Sequence, residues 1–110
     1  MHPRRGEVWW VSFDPSVGGE IKKTRPAVVL SNDSANAALN RVIVVPISSQ
    51  IAKVYPGEAL ITLNGEQRKA MAEQIMTASK QRLSQKMGTL SRMDIGAVEG
   101  AVLLQLAIRR

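Results

Sequence analysis

The sequence predicts a mainly β fold with a minor α component: a small, partly open barrel of five or six short strands and one C-terminal amphipathic helix. Three observations lead there. Short β-branched and aromatic runs alternate with turn residues along most of the chain. Only the last segment repeats its apolar residues at helical spacing. Finally, 110 residues can bury one modest core, which makes residues 1–110 a single domain.

Taken in order, Glu7-Val8-Trp9-Trp10-Val11-Ser12-Phe13 is β-branched and aromatic and closes at Asp14-Pro15, so it forms the first strand. Trp9, Val11 and Phe13 share its core face, while Trp10 points the other way, toward further core, a subunit contact or a stacked base. Residues 16–24 hold Gly18-Gly19 and Lys22-Lys23 with hardly an apolar side chain, which reads as a mobile basic loop. Pro26-Ala27-Val28-Val29-Leu30 is a buried strand, and Asp33 or Ser34 is placed to cap a short Ala-rich helical turn after it. Arg41-Val42-Ile43-Val44-Val45, stopped by Pro46, is the third strand.

Ala59-Leu60-Ile61-Thr62-Leu63 ends at Asn64-Gly65, a pair that tolerates positive φ and marks a hairpin. Residues 69–79 carry two patterns. Their Ala, Met, Glu and Gln favour helix, but Met71, Glu73, Ile75 and Thr77 alternate with Ala72, Gln74, Met76 and Ala78, and the position after a hairpin decides for strand. Ser91 and Asp94 resemble a capping box, and Ile95, Val98, Val102 and Leu106 recur as one helical stripe. Gly96 and Gly100 each cost that helix about 1 kcal/mol relative to Ala, which implies a close neighbour, either the sheet or a second subunit.

Composition narrows the chemistry. Hydrophobic residues at 45% and charged residues at 22% match globular proteins and exclude disorder throughout. Fifteen Lys and Arg against nine Asp and Glu give a net charge of +6, which favours polyanionic partners and nucleic acid above all. There is no cysteine, and the single histidine is His2. Disulfides, thiolate metal sites, cysteine nucleophiles and two-histidine acid–base pairs are therefore excluded, and neither metal nor cofactor is expected. No run reaches the length of a membrane span, and the N-terminal residues lack the apolar core of a signal peptide, so a cytoplasmic protein without membrane contact is expected.

Cleavage of RNA remains feasible with this inventory, because the substrate's own 2′-hydroxyl can attack the neighbouring phosphate. The enzyme then has to move two protons and stabilise the pentacoordinate charge. Arginine suits the second task, since its planar fork pairs two phosphate oxygens at any working pH. Lys22-Lys23-Thr24-Arg25-Pro26 offers one at the mouth of a strand, with proline fixing the backbone beside it. Pro46-Ile47-Ser48-Ser49-Gln50 follows the most apolar strand and offers hydroxyls to a phosphate or a 2′-oxygen. Tyr55, before Pro56, reads equally as a stacking residue after the polar loop or as an ordinary half-buried tyrosine, and Lys53 supplies positive field. Arg68, Lys69, Lys80, Arg82 and Lys86 read as a solvated surface.

Several blocks in order resemble the MazF/PemK toxins of bacterial toxin–antitoxin pairs: Arg5-Gly6-Glu7-Val8-Trp9-Trp10-Val11, Asp14-Pro15, Gly19-Glu20, and Thr24-Arg25-Pro26-Ala27-Val28-Val29-Leu30-Ser31-Asn32. Val44-Val45-Pro46-Ile47-Ser48-Ser49, Glu73-Gln74-Ile75-Met76-Thr77 and Lys80-Gln81-Arg82-Leu83 extend the likeness over nearly the whole chain. The resemblance implies an SH3-like barrel of PemK/CcdB type and a homodimer. It further implies metal-independent, sequence-specific cleavage of single-stranded RNA, chiefly mRNA, restrained by a cognate MazE-like antitoxin. It puts the catalytic arginine at Arg25 and the working hydroxyl at Ser48, where many members carry threonine. Glu20 and the acid–amide pair Glu73-Gln74 then shape the RNA groove, to which Lys22, Asn32, Ser49, Gln50 and Lys53 are added as binding residues.

Two other classes compete with this endoribonuclease. A CcdB-like gyrase poison would act by binding protein, but its relatives end in an aromatic-containing tail and the end of this chain has no aromatic residue. A non-catalytic RNA-binding barrel is compatible with the composition alone.

Overall fold

Strands β1 (Glu7–Ser12), β2 (Thr24–Val29) and β3 (Arg41–Ser48) lie side by side and antiparallel, and each sends apolar side chains to both faces. The structure, a computed structural model, describes residues 2–109. Val8, Val28, Val45 and Ile47 enter one core cluster, and Val11, Ala27, Val29, Val42 and Val44 enter a second on the opposite face. A strand buried on both faces has no polar alternation, which is why β2 and β3 appear in the sequence as unbroken apolar runs. As expected, Trp9, Val11 and Phe13 belong to one face.

The chain then adds α1 (Asp33–Ala38) between β2 and β3, followed by β4 (Glu58–Leu63), β5 (Glu66–Met71), β6 (Met76–Ser79), β7 (Leu83–Thr89) and α2 (Arg92–Gln105). The sheet order is β4-β5-β3-β2-β1-β7, with β6 also paired to β3, and every pairing is antiparallel. The result is a curled half-barrel with a C-terminal helix. Its β4–β5 hairpin turns at Asn64-Gly65, whose φ values of 51° and 82° are those the pair was expected to adopt. One core cluster joins β4 and β5 to α2 through Ile61, Leu63, Ala70, Val98, Ala101 and Val102.

Four expectations are corrected. The single strand expected over residues 69–79 is broken by a 3₁₀ turn at Ala72–Gln74. Between the pairs Ile47–Ala70 and Val44–Met76, β3 advances three residues while its partner advances six. The surplus is taken up as a turn, which also suits the helix-favouring Ala, Glu and Gln there. Second, the sheet has seven strands rather than five or six. β7 is a half-exposed edge strand of Leu-Ser-Gln-Lys-Met-Gly-Thr, too polar to stand out in the sequence.

Third, the cap of α1 is Asn32, whose side chain accepts from the Ala35 N–H at 2.8 Å, and not Asp33 or Ser34. Asp33 instead accepts from the Arg5 backbone N–H, a bond that holds its carboxyl below the ordinary aspartate value. Fourth, α2 meets the sheet through Val98, Ala101 and Val102, while Leu106 lies past its end and is exposed. Among the described residues, nothing beyond the chain neighbours and the helix's own backbone comes within 4 Å of where a Cβ on Gly96 or Gly100 would sit. The capping box is half formed. Ser91 Oγ accepts from the Asp94 N–H at 3.1 Å, but the Asp94 carboxylate turns away and accepts from the Thr62 N–H of edge strand β4 at 2.9 Å.

Candidate functional site

Two prolines open the site. β2 and β3 pair as far as Ala27 opposite Pro46. Neither Pro26 nor Pro46 has an N–H to give, and beyond that pair β3 turns to β5, matching Ile47 to Ala70 and Ser48 to Lys69. The diverging strands leave a solvent-open cavity of about 270 Å³. Arg25 projects into it from β2, and Ser48, Ser49 and Gln50 line it from the end of β3. Trp10, Ile21 and Met71 form its apolar wall, so the outward face of Trp10 serves this cavity.

Ser48 is oriented locally. Its Oγ accepts from the Gln50 N–H at 3.0 Å, which occupies an oxygen lone pair and leaves the hydroxyl proton free to donate into the cavity. Arg68 of β5 also lines the cavity, its Nε buried without a partner and its Nη2 3.6 Å from Glu66 Oε2 on a largely exposed side chain. The lining thus holds two guanidinium groups, hydroxyls and an amide, and no carboxylate, imidazole or thiol. Such a wall favours an anion with several oxygen acceptors. Among the described residues, no three His, Cys, Asp or Glu side chains converge as a metal-ligand set.

A second cavity of about 280 Å³ adjoins the first, sharing Ile21, and is lined by Glu20, Glu73, Gln74, Phe13 and Arg82 among others. The structure therefore brings Glu20 and the Glu73-Gln74 pair together, in a compartment with carboxylates beside the cationic one. Gln74 is already engaged. Its Oε1 accepts from the Ile21 N–H at 3.2 Å and its Nε2 donates to the Gly19 carbonyl at 3.3 Å, fastening the loop of residues 16–24. Arg82 holds the start of that loop through the carbonyls of Ser12 and Asp14, at 2.9 and 2.8 Å. Asp14 Oδ1 accepts from the Lys23 N–H, and Glu20 Oε1 from the Val17 N–H. The stretch expected to be a mobile basic loop is tied at both ends, and Arg82 is a fastener, not a solvated surface charge.

Four sequence candidates lie outside these cavities. Asn32 borders a separate apolar groove with Leu39 and Ile43 and spends its amide oxygen on the α1 cap. Lys22 and Lys53 are exposed and line neither cavity. Tyr55, 59% exposed, borders a third recess with Glu73.

Lys69, expected on the solvated surface, is buried and paired with Glu58. Its Nζ lies 3.0 Å from Glu58 Oε1 and 2.9 Å from the Lys53 carbonyl, and Glu58 Oε1 also accepts from the Tyr55 N–H at 2.8 Å. This ion pair anchors residues 53–55, in the loop that continues from Ser48, Ser49 and Gln50. Sequence reasoning missed Arg68 and Lys69, although a two-residue turn at Asn64-Gly65 sets Arg68 opposite Ile61, on the inward face.

A curled half-barrel whose splayed strands set arginine and serine around one open cavity, beside an acid-lined pocket, has the lining of a small polyanion-binding protein. Comparison with known proteins narrows the class. Residues 4–106 match the family described as PemK-like, MazF-like toxin of type II toxin-antitoxin system, and the chain belongs to that family. It is 44% identical to endoribonuclease MazF9 of Mycobacterium tuberculosis, over 94% of this chain and 95% of that protein. The endoribonuclease toxin MazF of Escherichia coli is 34% identical, over 91% of this chain and 90% of the relative. Among solved structures, MazF from Deinococcus radiodurans superposes with a TM-score of 0.85, covering 97% of this chain and 98% of that one at 24% identity.

Proposed function

We propose that this single-domain chain is the toxin of a type II toxin–antitoxin pair and an endoribonuclease that cuts single-stranded RNA by 2′-hydroxyl attack on the adjacent phosphate. The observation that carries this reading is the convergence of Arg25 and Ser48 on one open, carboxylate-free cavity. In the reaction the bond from 2′-oxygen to phosphorus forms and the bond from phosphorus to 5′-oxygen breaks. The proton lost by the 2′-hydroxyl is balanced by the one gained at the leaving 5′-oxygen. Arg25 meets the charge that grows on the phosphorane oxygens, and the Ser48 hydroxyl donates to one of them. The neighbouring pocket of Glu20 and Glu73 supports reading of an unstacked base through its donor groups.

RNA and antitoxin share this surface. A homodimer lengthens the groove, and an acidic, disordered antitoxin segment, drawn by the net charge of +6, covers Arg25 and competes with RNA in the cytoplasm. No helix among the described residues is long and apolar enough to cross a membrane.

The test is a long transcript incubated with wild type or Arg25→Ala in excess chelator. Cleavage by wild type is expected to continue, leaving a cyclic phosphate on one product and a 5′-hydroxyl on the other. Arg25→Ala should lower the rate by about two orders of magnitude or more, the scale of one lost oxyanion donor. Wild-type retention of RNA without cutting would replace this reading by an RNA-binding barrel. Normal cutting by Arg25→Ala would remove Arg25 from the mechanism.

A further inference from the structure

The cavity holds more positive charge than one catalytic arginine accounts for. Arg68 comes from β5 and Arg25 from β2, the strands on either side of β3, and both side chains line the same cavity. No carboxylate lines the space between them. Among the described residues, the one carboxylate within 4.0 Å of the Arg68 guanidinium is that of Glu66, 3.6 Å away on a side chain that is 74% exposed, a pairing that solvent largely screens.

The Arg68 side chain is 20% exposed, and its Nε is buried with no hydrogen-bond partner. A buried donor left unmatched is unfavourable, and a turn of the side chain that brings it to an acceptor in the cavity relieves that cost. The residue also has an ordinary alternative available, since a long cation on a hairpin can extend its charged head into water. Here the side chain instead stays largely buried and lines the cavity together with Ile47 and Met71.

We infer that Arg68 is a second phosphate-binding residue, which donates its Nε–H to the RNA backbone in the cavity it shares with Arg25. The inference rests on the endoribonuclease reading and deepens it. Arg25 and Ser48 act on the reacting phosphate, whereas Arg68 holds the backbone in substrate and transition state alike. Its loss therefore weakens binding and leaves the chemical step nearly intact.

The experiment compares wild type, Arg68→Met, Arg68→Lys and Arg25→Ala. The first readout is kcat and KM on a long transcript. The second is the affinity, over a range of salt concentrations, for a mixed-sequence pool of 2′-fluoro RNA, which lacks the attacking hydroxyl. Arg68→Met is expected to bind the pool about ten- to a hundredfold more weakly, the effect of one lost charged hydrogen bond, with KM raised and kcat within about a factor of three. Its log–log salt slope should be shallower by about 0.7, the effect of one phosphate contact fewer on a single strand. Arg68→Lys, which keeps the charge but lacks Nε–H, should retain the slope and lose part of the affinity.

Unchanged affinity and slope in Arg68→Met, in a preparation where Arg25→Ala abolishes cutting, would overturn the role of Arg68 and leave the endoribonuclease reading standing. A lowered melting temperature with an unchanged slope would assign Arg68 to structure alone and overturn it equally. Should Arg68→Met not fold, Arg68→Lys decides by its affinity, which a phosphate contact through Nε requires to fall. A wild type that neither cuts the transcript nor binds the pool removes both readings together.

Discussion

Replacing Lys69 by Met leaves Glu58 as a buried carboxylate without its cation. The two groups are 3.0 Å apart, with side-chain exposures of 10% and 6%. At an effective dielectric of about 20 the direct attraction at that distance is about 5 kcal/mol, and the desolvation of both ions offsets most of it. Removing one partner keeps the desolvation cost and loses the attraction, so Lys69→Met should destabilise the fold by about 3–5 kcal/mol. At about 4 °C per kcal/mol, the melting temperature falls by roughly 12–20 °C. The double variant Glu58→Gln with Lys69→Met removes both charges but keeps an acceptor for the Tyr55 N–H, so its stability should return to within about 1.5 kcal/mol of wild type. Its loop, however, still lacks the bond from Lys69 Nζ to the Lys53 carbonyl. Cleavage measured well below the melting point should therefore stay reduced in the double variant after stability has recovered. Denaturant melts and transcript cleavage on the same preparations test this. A double variant no more stable than Lys69→Met would refute the unpaired-charge argument, and full cleavage with restored stability would refute the anchoring of the loop.

Ser48→Ala should lower the cleavage rate and Ser48→Thr should preserve or raise it, because threonine keeps the oxygen that accepts from Gln50 on a stiffer side chain; a silent Ser48→Ala would transfer the role to Ser49. Gln74→Ala removes two bonds that fasten residues 19 and 21, so RNA binding should weaken and proteolysis within residues 16–24 should quicken; an unchanged digestion pattern would count against the staple. Burial alone would raise the Glu7 carboxyl, but the Arg4 N–H, the Trp9 indole and the Lys86 ammonium outweigh it and hold the group below the ordinary glutamate value of 4.5. The folded state thus binds this proton less readily than the unfolded chain, and the stabilisation is complete above 4.5 and lost as pH falls through the lowered value. Glu7→Gln should flatten that acid limb in pH-dependent melts, and an identical limb would assign it to other carboxyls.

The sequence alone determined the elements whose signal is local. Continuous apolar runs announced β2 and β3 because strands covered on both faces carry no polar alternation. Asn64-Gly65 announced its hairpin because few residue pairs accept two positive φ values, and Ser91 announced the start of α2. The order of short motifs was enough to place Arg25, Ser48, Glu20 and the Glu73-Gln74 pair as candidates. It could not separate Asn32, which caps a helix, from residues that line the cavity, because both are polar residues just past a strand.

Only the tertiary structure decided what depends on register and on how strands diverge. The length of β3, shared between β5 and β6, forces the turn at Ala72–Gln74 and carries Gln74 to the loop it fastens. The same sharing parts β2 from β3 at two prolines and opens the cavity. Arg68, Lys69 and Arg82 look alike in the sequence, three cations among polar neighbours. Their roles as a cavity wall, a buried ion-pair partner and a loop clamp were set by elements distant along the chain, and a sequence pattern records a residue's own periodicity but not the partner that the fold brings to it.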